Sequence, residues 1–265
     1  SPFLLRTVKP AVSDAAGRTV KKLRRIGKRI GVGMDGDLWL VLHLMIAGRL
    51  HWRKKGAPLG GRNMLAAFDF PNGSLVLTEA GSQHRAGLFV MESEAAAVAL
   101  NPGGLEVLEA TAEEFGRVLT SANHTLKRVL TDPKLFSGIG NAYSDEILHR
   151  AQMSPVALTQ KLKAEEIARL HRAVQETLVE WVDRLRREAG DKFPEKVTAF
   201  RPDMAVHGRY GSPCPVCETK VQRIRYASNE TNYCPRCQTG GRLLADRSLS
   251  RLLREDWPKR IEDIE

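Results

Sequence analysis

The sequence predicts an α+β multidomain protein: a β-sandwich-like N-terminal domain, then a helical C-terminal domain that ends in a four-cysteine zinc finger. Three observations predict it. Short apolar runs of strand length, bounded by turn residues, recur up to about residue 109. Apolar residues at three- and four-residue spacing then take over. Cys214-x-x-Cys217 and Cys234-x-x-Cys237 follow near the C-terminus. The expected division is residues 1–110, 111–204, 205–240 and a tail over 241–265.

In the first segment, Leu38-Trp39-Leu40-Val41-Leu42-His43-Leu44 is a nearly continuous apolar run, as a buried strand requires. Gly73-Ser74-Leu75-Val76-Leu77-Thr78 and Ala86-Gly87-Leu88-Phe89-Val90 are two further strands. Asp35-Gly36 and Asn72-Gly73 are hairpin-turn signals. Short strands joined by such turns make a sandwich or a barrel. Residues 56–61, preceded by Lys54 and Lys55, read as a flexible basic loop.

Pro102-Gly103-Gly104 marks the passage to helices expected near 112–120, 126–131, 141–151 and 164–188. In the longest, Ile167, Leu170, Val174, Leu178, Trp181 and Leu185 form one apolar stripe, so Trp181 is core. Pro133 stops the second helix, and Ser137-Gly138-Ile139-Gly140-Asn141 is a tight turn opening the third. A glycine turn at a helix N-terminus brings backbone N–H groups to an anion, or simply makes the corner of a helical hairpin. Residues 189–204, with Gly190, Pro194 and Pro202, read as a linker or mobile loop.

The two C-x-x-C pairs are separated by 16 residues. Each pair clamps one side of a tetrahedral metal, so Cys214, Cys217, Cys234 and Cys237 are the expected ligands of one structural zinc. Four thiolates leave no open position for substrate, and a redox dithiol pair is the competing reading. Lys220-Val221-Gln222-Arg223-Ile224-Arg225-Tyr226 alternates as a two-stranded ribbon would, placing Arg223 and Arg225 on one face as candidate groove readers.

Composition narrows the class. Hydrophobic content of 42% and charged content of 27% suit a globular protein, and no apolar run is long enough to span a membrane. Net charge is +10, and the first 60 residues hold 13 Lys or Arg against Asp14, Asp35 and Asp37. That imbalance favours a polyanionic partner. Paired cysteines point to a reduced compartment. The expected setting is cytoplasmic and nucleoid-associated.

Residues 127–155 resemble the helix–two-turn–helix of the formamidopyrimidine-DNA glycosylase / endonuclease VIII family. The resemblance runs through Lys127, Gly138-Ile139-Gly140-Asn141, Asp145-Glu146-Ile147-Leu148 and Ser154-Pro155. It continues in Val206-His207-Gly208-Arg209 and Tyr233-Cys234-Pro235-Arg236-Cys237-Gln238, which look like the entry and exit of that family's zinc finger. It implies that Lys127 and Asn141 hold phosphates beside a lesion. It also implies that Asn229 stands where the family has a phosphate-binding arginine, and so brings no charge. Lys28, at a strand start in the densest basic run, matches the family's second lysine, which contacts the phosphate and sugar of the flipped nucleotide. Of the residues that fill the gap left by a flipped base, the methionine position looks like Ile46, next to Met45. The arginine and phenylalanine positions look like His84 and Ala86, with Arg85 between them. Ala86 is too small to wedge between bases, and the 189–204 loop looks short for one that grips oxidised guanine.

The activity implied is that of a bifunctional DNA glycosylase and abasic-site lyase: base flipping and excision, then strand cleavage through a Schiff base and β- or β,δ-elimination. The family's nucleophile is an N-terminal proline followed by a glutamate. The chain begins Ser1-Pro2-Phe3-Leu4-Leu5-Arg6, which looks like the family's first strand after its initial helix, so that helix is expected to lie outside this sequence. The expected partner is damaged or abasic DNA, bound by a monomer, and a different class of reading is a lesion- or structure-specific DNA-binding protein without chemistry. A third, an RNA-associated zinc protein, fits the charge but not the Gly138–Asn141 turn. Beyond the finger, Leu243, Leu244, Leu249, Leu252 and Leu253 suggest a short amphipathic helix.

Overall fold

The computed structural model describes residues 2–56, 58, 60–61, 63–80, 84–195, 197–226, 229–245, 252 and 258–264. The chain forms two compact units, one of Ser1–Pro102 with Arg187–Val197, the other of Gly103–Arg186 with Thr198–Glu265.

The first unit is a sandwich. β1 (Val20–Ile26), β2 (Arg29–Met34), β3 (Trp39–His43) and β7 (Gly87–Met91) form one antiparallel sheet in the order β1-β2-β3-β7. β4 (Gly48–Arg53), β5 (Met64–Phe70) and β6 (Gly73–Glu79) form the other, ordered β4-β6-β5. Leu38, Leu40, Leu42, Leu88 and Val90 pack against Leu65 and Leu77 in the core between them. β3 is buried on both faces, which is why it reads as a continuous apolar run. Its outer face, Trp39 and Val41, is covered by α1 (Glu94–Val98) with Ala97. Gly33 lies directly under the Trp39 indole, where an added Cβ would meet the ring at 2.7 Å. The 187–197 segment docks on this unit: Glu195 accepts from Arg53 at 2.8 Å and pairs with His51 at 2.8 Å, and Phe193 stacks on Trp52. Half of the expected linker is therefore anchored.

One expectation is corrected in this unit, and one strand is added. Pro2–Leu4 is a 3-10 turn rather than a strand, with only Leu5 bridging to Leu88. The basic run at 21–25 is itself a strand, exposed along most of its length at the sheet edge. Charge conceals it from an apolar-pattern reading, and it serves as an edge that discourages further pairing. Lys28 sits in the β1–β2 turn with Gly27 (φ 59°), immediately before Arg29 opens β2, at a strand start as expected.

The second unit is built on α2 (Ala112–Leu119), α3 (Leu126–Thr131), α4 (Asn141–Arg150) and α5 (Ala164–Ala189), close to the expected ranges. Phe115, Leu119, Leu126, Leu130, Ile147, Leu148, Leu170 and Val174 form its core. Thr111 and Glu114 cap α2 reciprocally, and β8 (Leu105–Glu106) pairs in parallel with β9 (Phe136–Ser137), fixing the approach to the glycine turn. Trp181 is buried against Tyr143, as a core residue should be. The finger contributes β10 (Gln222–Tyr226), β11 (Asn229–Tyr233) and the short α6 (Pro235–Thr239).

In the tail, Leu243 and Leu244 are buried but not helical. Leu243 N donates to the Lys259 carbonyl and Leu244 N to the Tyr233 hydroxyl, so the 258–264 segment folds back beside the finger. Leu249 and Leu253 lie outside the described residues. Among the described residues, no helix is long and apolar enough to cross a membrane.

Candidate nucleic-acid interface

In the second unit the glycine turn and the finger are built as neighbours. Gly138 adopts φ 87°, a left-handed conformation that favours glycine, and Gly140 caps α4 without a side chain. The first N–H groups of α4 thus open at Asn141 with no side-chain acceptor, in the geometry that suits an anion. The Asn141 side chain donates from Nδ2 to the Glu230 carbonyl on β11 at 2.9 Å. Asn229 is exposed where β10 and β11 meet.

Arg223 and Arg225 lie on one face of the ribbon, as their spacing predicts, but neither charge is unopposed. Both pair with Glu230 Oε2, at 3.3 Å and 3.1 Å, and Arg223 also lies 4.0 Å over the Tyr210 ring. Lys127, which the resemblance assigns to a phosphate, is enclosed. Its ammonium is ion-paired to the fully buried Asp145 and donates to the Asn141 carbonyl at 2.9 Å. Burial holds its pKa below the ordinary lysine value, with Asp145 opposing that shift.

Glu146, beside Asp145 in the same motif, has a role that its place in the sequence does not reveal. Its carboxylate accepts from the backbone N–H groups of Ala205, Val206 and His207, at 2.7, 2.9 and 2.9 Å. One buried side chain on α4 therefore shapes the strand of chain entering the finger. Gln238 closes the exit, accepting from Cys234 N and donating to the Met153 carbonyl.

The Sγ atoms of Cys214, Cys217, Cys234 and Cys237 lie within 4.8 Å of one another. Three of the separations are 3.3, 3.4 and 3.9 Å. A tetrahedral zinc with Zn–S of ~2.3 Å requires S–S edges of about 3.8 Å, so the quartet fits that ion. Burial pushes the Cys234 thiol up to about 12, so a cation is what would let these sulfurs ionise together. His149 on α4 stands with Nε2 3.2 Å from Cys214 Sγ, a further hydrogen bond that the spacing of cysteines does not reveal.

In the first unit, Lys28 is exposed at its turn, and desolvation together with the charge of Arg29 holds its pKa below the ordinary value. His43 is lowered by burial and by the same two cations, which places all three in one electropositive neighbourhood. Ile46 is 78% exposed and Met45 is exposed in the turn after β3, so that tip presents two apolar side chains to solvent. His84 and Arg85 are also exposed, before β7. A buried carboxylate that the sequence does not advertise sets this loop too. Glu79 accepts from Arg85 N at 2.9 Å and Ala86 N at 3.1 Å.

Comparison with known proteins adds the family to this geometry. Models described as the formamidopyrimidine-DNA glycosylase N-terminal domain, its H2TH domain, and the zinc finger found in FPG and IleRS match residues 4–81, 104–189 and 211–240. The formamidopyrimidine-DNA glycosylase of Heliobacterium modesticaldum is 33% identical over 235 residues, covering 84% of this chain and 83% of the relative. A formamidopyrimidine-DNA glycosylase-like protein of Mycobacterium tuberculosis, itself described as uncharacterized, is 41% identical over 151 residues, 57% of this chain and 94% of that one. The solved MutM (Fpg) structure from Thermus thermophilus superposes with a TM-score of 0.71 at 30% identity, covering 89% of this chain and 88% of that one. A Lactococcus lactis Fpg complex with Fapy-dG DNA has the same fold, at TM-score 0.74 and 23% identity, covering 86% and 84%.

Proposed function

The chain belongs to the formamidopyrimidine-DNA glycosylase family, and from that premise we propose how its residues serve a DNA repair glycosylase that acts on damaged bases. The observation that carries the reading is the α4 N-terminus. A glycine turn opens a helix end toward an anion, and its first residue is bonded to the ribbon of a four-cysteine finger. Asn141 and the N–H groups behind it bind a DNA phosphate. Arg223 and Arg225 supply the finger's charge, and Asn229 adds a neutral donor at the ribbon tip. Lys28 contacts the phosphate or sugar of the everted nucleotide, with Arg29 and His43 raising the local potential. Ile46, His84 and Arg85 occupy the space the base leaves. The second unit divides further into a helical module, a finger and a tail. One structural zinc holds the finger closed and takes no part in bond breaking.

The excision and lyase steps follow the family's chemistry: an amine attacks C1′, a Schiff base forms, and elimination cuts the strand. Borohydride trapping of the full natural polypeptide on a duplex with one abasic site, followed by peptide mapping, tests this. A covalent adduct on an N-terminal amine is the expected result. Tight abasic binding without any adduct would replace the lyase reading with lesion binding alone.

A further inference from the structure

We infer that Asp145 and His207 are positioning residues, which hold Lys127 against the Asn141 carbonyl and so fix the phosphate-binding end of α4, and that Lys127 itself does not reach a phosphate. The inference rests on the DNA reading above for what Asn141 touches, and on geometry for the rest. Three separate segments meet here: Lys127 from α3, Asp145 from α4, and His207 from the chain entering the finger. One Asp145 oxygen takes the Lys127 ammonium. The other accepts from His207 Nδ1 at 2.8 Å and from the Asn232 backbone N–H at 3.2 Å. The side chains of Lys127, Asp145 and His207 are 14%, 0% and 6% exposed. Phe200 stacks on the His207 ring with centroids 5.6 Å apart, backing the imidazole.

The competing role, Lys127 as a phosphate ligand, requires the ammonium to leave this site. That would strand a fully buried carboxylate without its cation, a heavier penalty than a solvent-screened phosphate contact returns. With Lys127 in place, Asn141 is held at both ends. Its carbonyl accepts from Lys127 Nζ and Ser144 Oγ, and its side chain donates to β11. The chain thereby converts a charge that could have bound DNA directly into rigidity at the residue that binds it.

The test uses the full protein and a duplex bearing a tetrahydrofuran abasic analogue, titrated over a range of salt. Lys127→Met, Asp145→Asn and His207→Phe should each weaken binding about tenfold with an unchanged salt slope, because no phosphate contact is lost. His207→Asn, whose amide can donate in place of Nδ1, should recover most of the affinity. A slope lower by about 0.9 in Lys127→Met would overturn the inference, since that is the signature of one phosphate. Tighter binding by Asp145→Asn would overturn it too, by showing a lysine released for DNA. Wild-type protein that ignores the duplex would sink the DNA reading instead. The positioning role is then judged on the protein without DNA by hydrogen exchange at the amides of Ser144 to Glu146. Faster exchange in Asp145→Asn and His207→Phe supports it, and unchanged exchange overturns it.

Discussion

Lys28 and Lys127 are both lysines that the family resemblance assigns to DNA, and the structure puts them in opposite electrostatic surroundings. Lys28 stands in an exposed turn, its pKa lowered by desolvation and by Arg29. A phosphate arriving there relieves charge repulsion. Lys127 is enclosed, and Asp145 already answers its charge. The ribbon of the finger resembles the second case, with Glu230 shared by Arg223 and Arg225. Cations of the β-unit that are paired, Lys22 and Arg24 with Glu94 and Arg53 with Glu195, are paired at its surface, whereas Lys127 in the helix-and-finger unit is paired in the interior. On the proposed reading, phosphate is met by solvent-facing charge in the first and by preorganised donors in the second.

The largest effect expected in breaking this contrast comes from Cys214→Ser. Zinc binding to a finger contributes on the order of 10 kcal/mol, so loss of metal should unfold the ribbon and abolish its DNA contacts. Zinc content, DNA affinity and amide exchange together check this. Exchange in the β-sandwich should stay protected, and unchanged duplex binding by the zinc-free protein would remove the finger from the interface.

Next are the two buried carboxylates that shape loops. Glu146→Ala leaves three backbone donors without their acceptor and should cost about 3 kcal/mol or more, read from the denaturant midpoint. Glu79→Ala leaves two such donors, beside an exposed loop, and should cost about 2 kcal/mol or less. Equal losses would contradict the view that the second unit depends more on internal polar contacts.

Lys28 sharpens the comparison through pH. Only the ammonium binds phosphate, and phosphate raises the pKa that Lys28 has in the absence of DNA. Affinity should be complete below that lowered value and should fall as pH rises from there toward the DNA-bound value. The loss reaches about tenfold for each unit between the two values. Lys28→Arg, always charged, should flatten that alkaline limb; superimposable pH profiles for the two proteins would exclude Lys28 from the contact.

The smallest effect is at Glu230. Its carboxylate pairs with two arginines that the proposed reading gives to DNA, so Glu230→Gln should tighten binding about threefold and steepen the salt dependence. Weaker binding would mean that Glu230 orders the arginines rather than restraining them.

What the sequence determined by itself is whatever rests on local pattern. The α5 stripe, the β3 run, the Pro133 stop, the Gly138–Asn141 turn and the spacing of Cys214, Cys217, Cys234 and Cys237 all express short-range periodicity or turn chemistry. Their elements lie where they were expected. The strand over Val20–Ile26 escaped because an edge strand is charged on both faces. Only the tertiary structure decided which charges are used up inside. Asp145 meets His207 across 62 residues and Glu195 meets His51 across 144. In the sequence, nothing marks Glu79 as buried, and the motif that holds Glu146 does not reveal its partners. A buried carboxylate is identified by the donors folded around it, and those come from segments that local periodicity cannot connect.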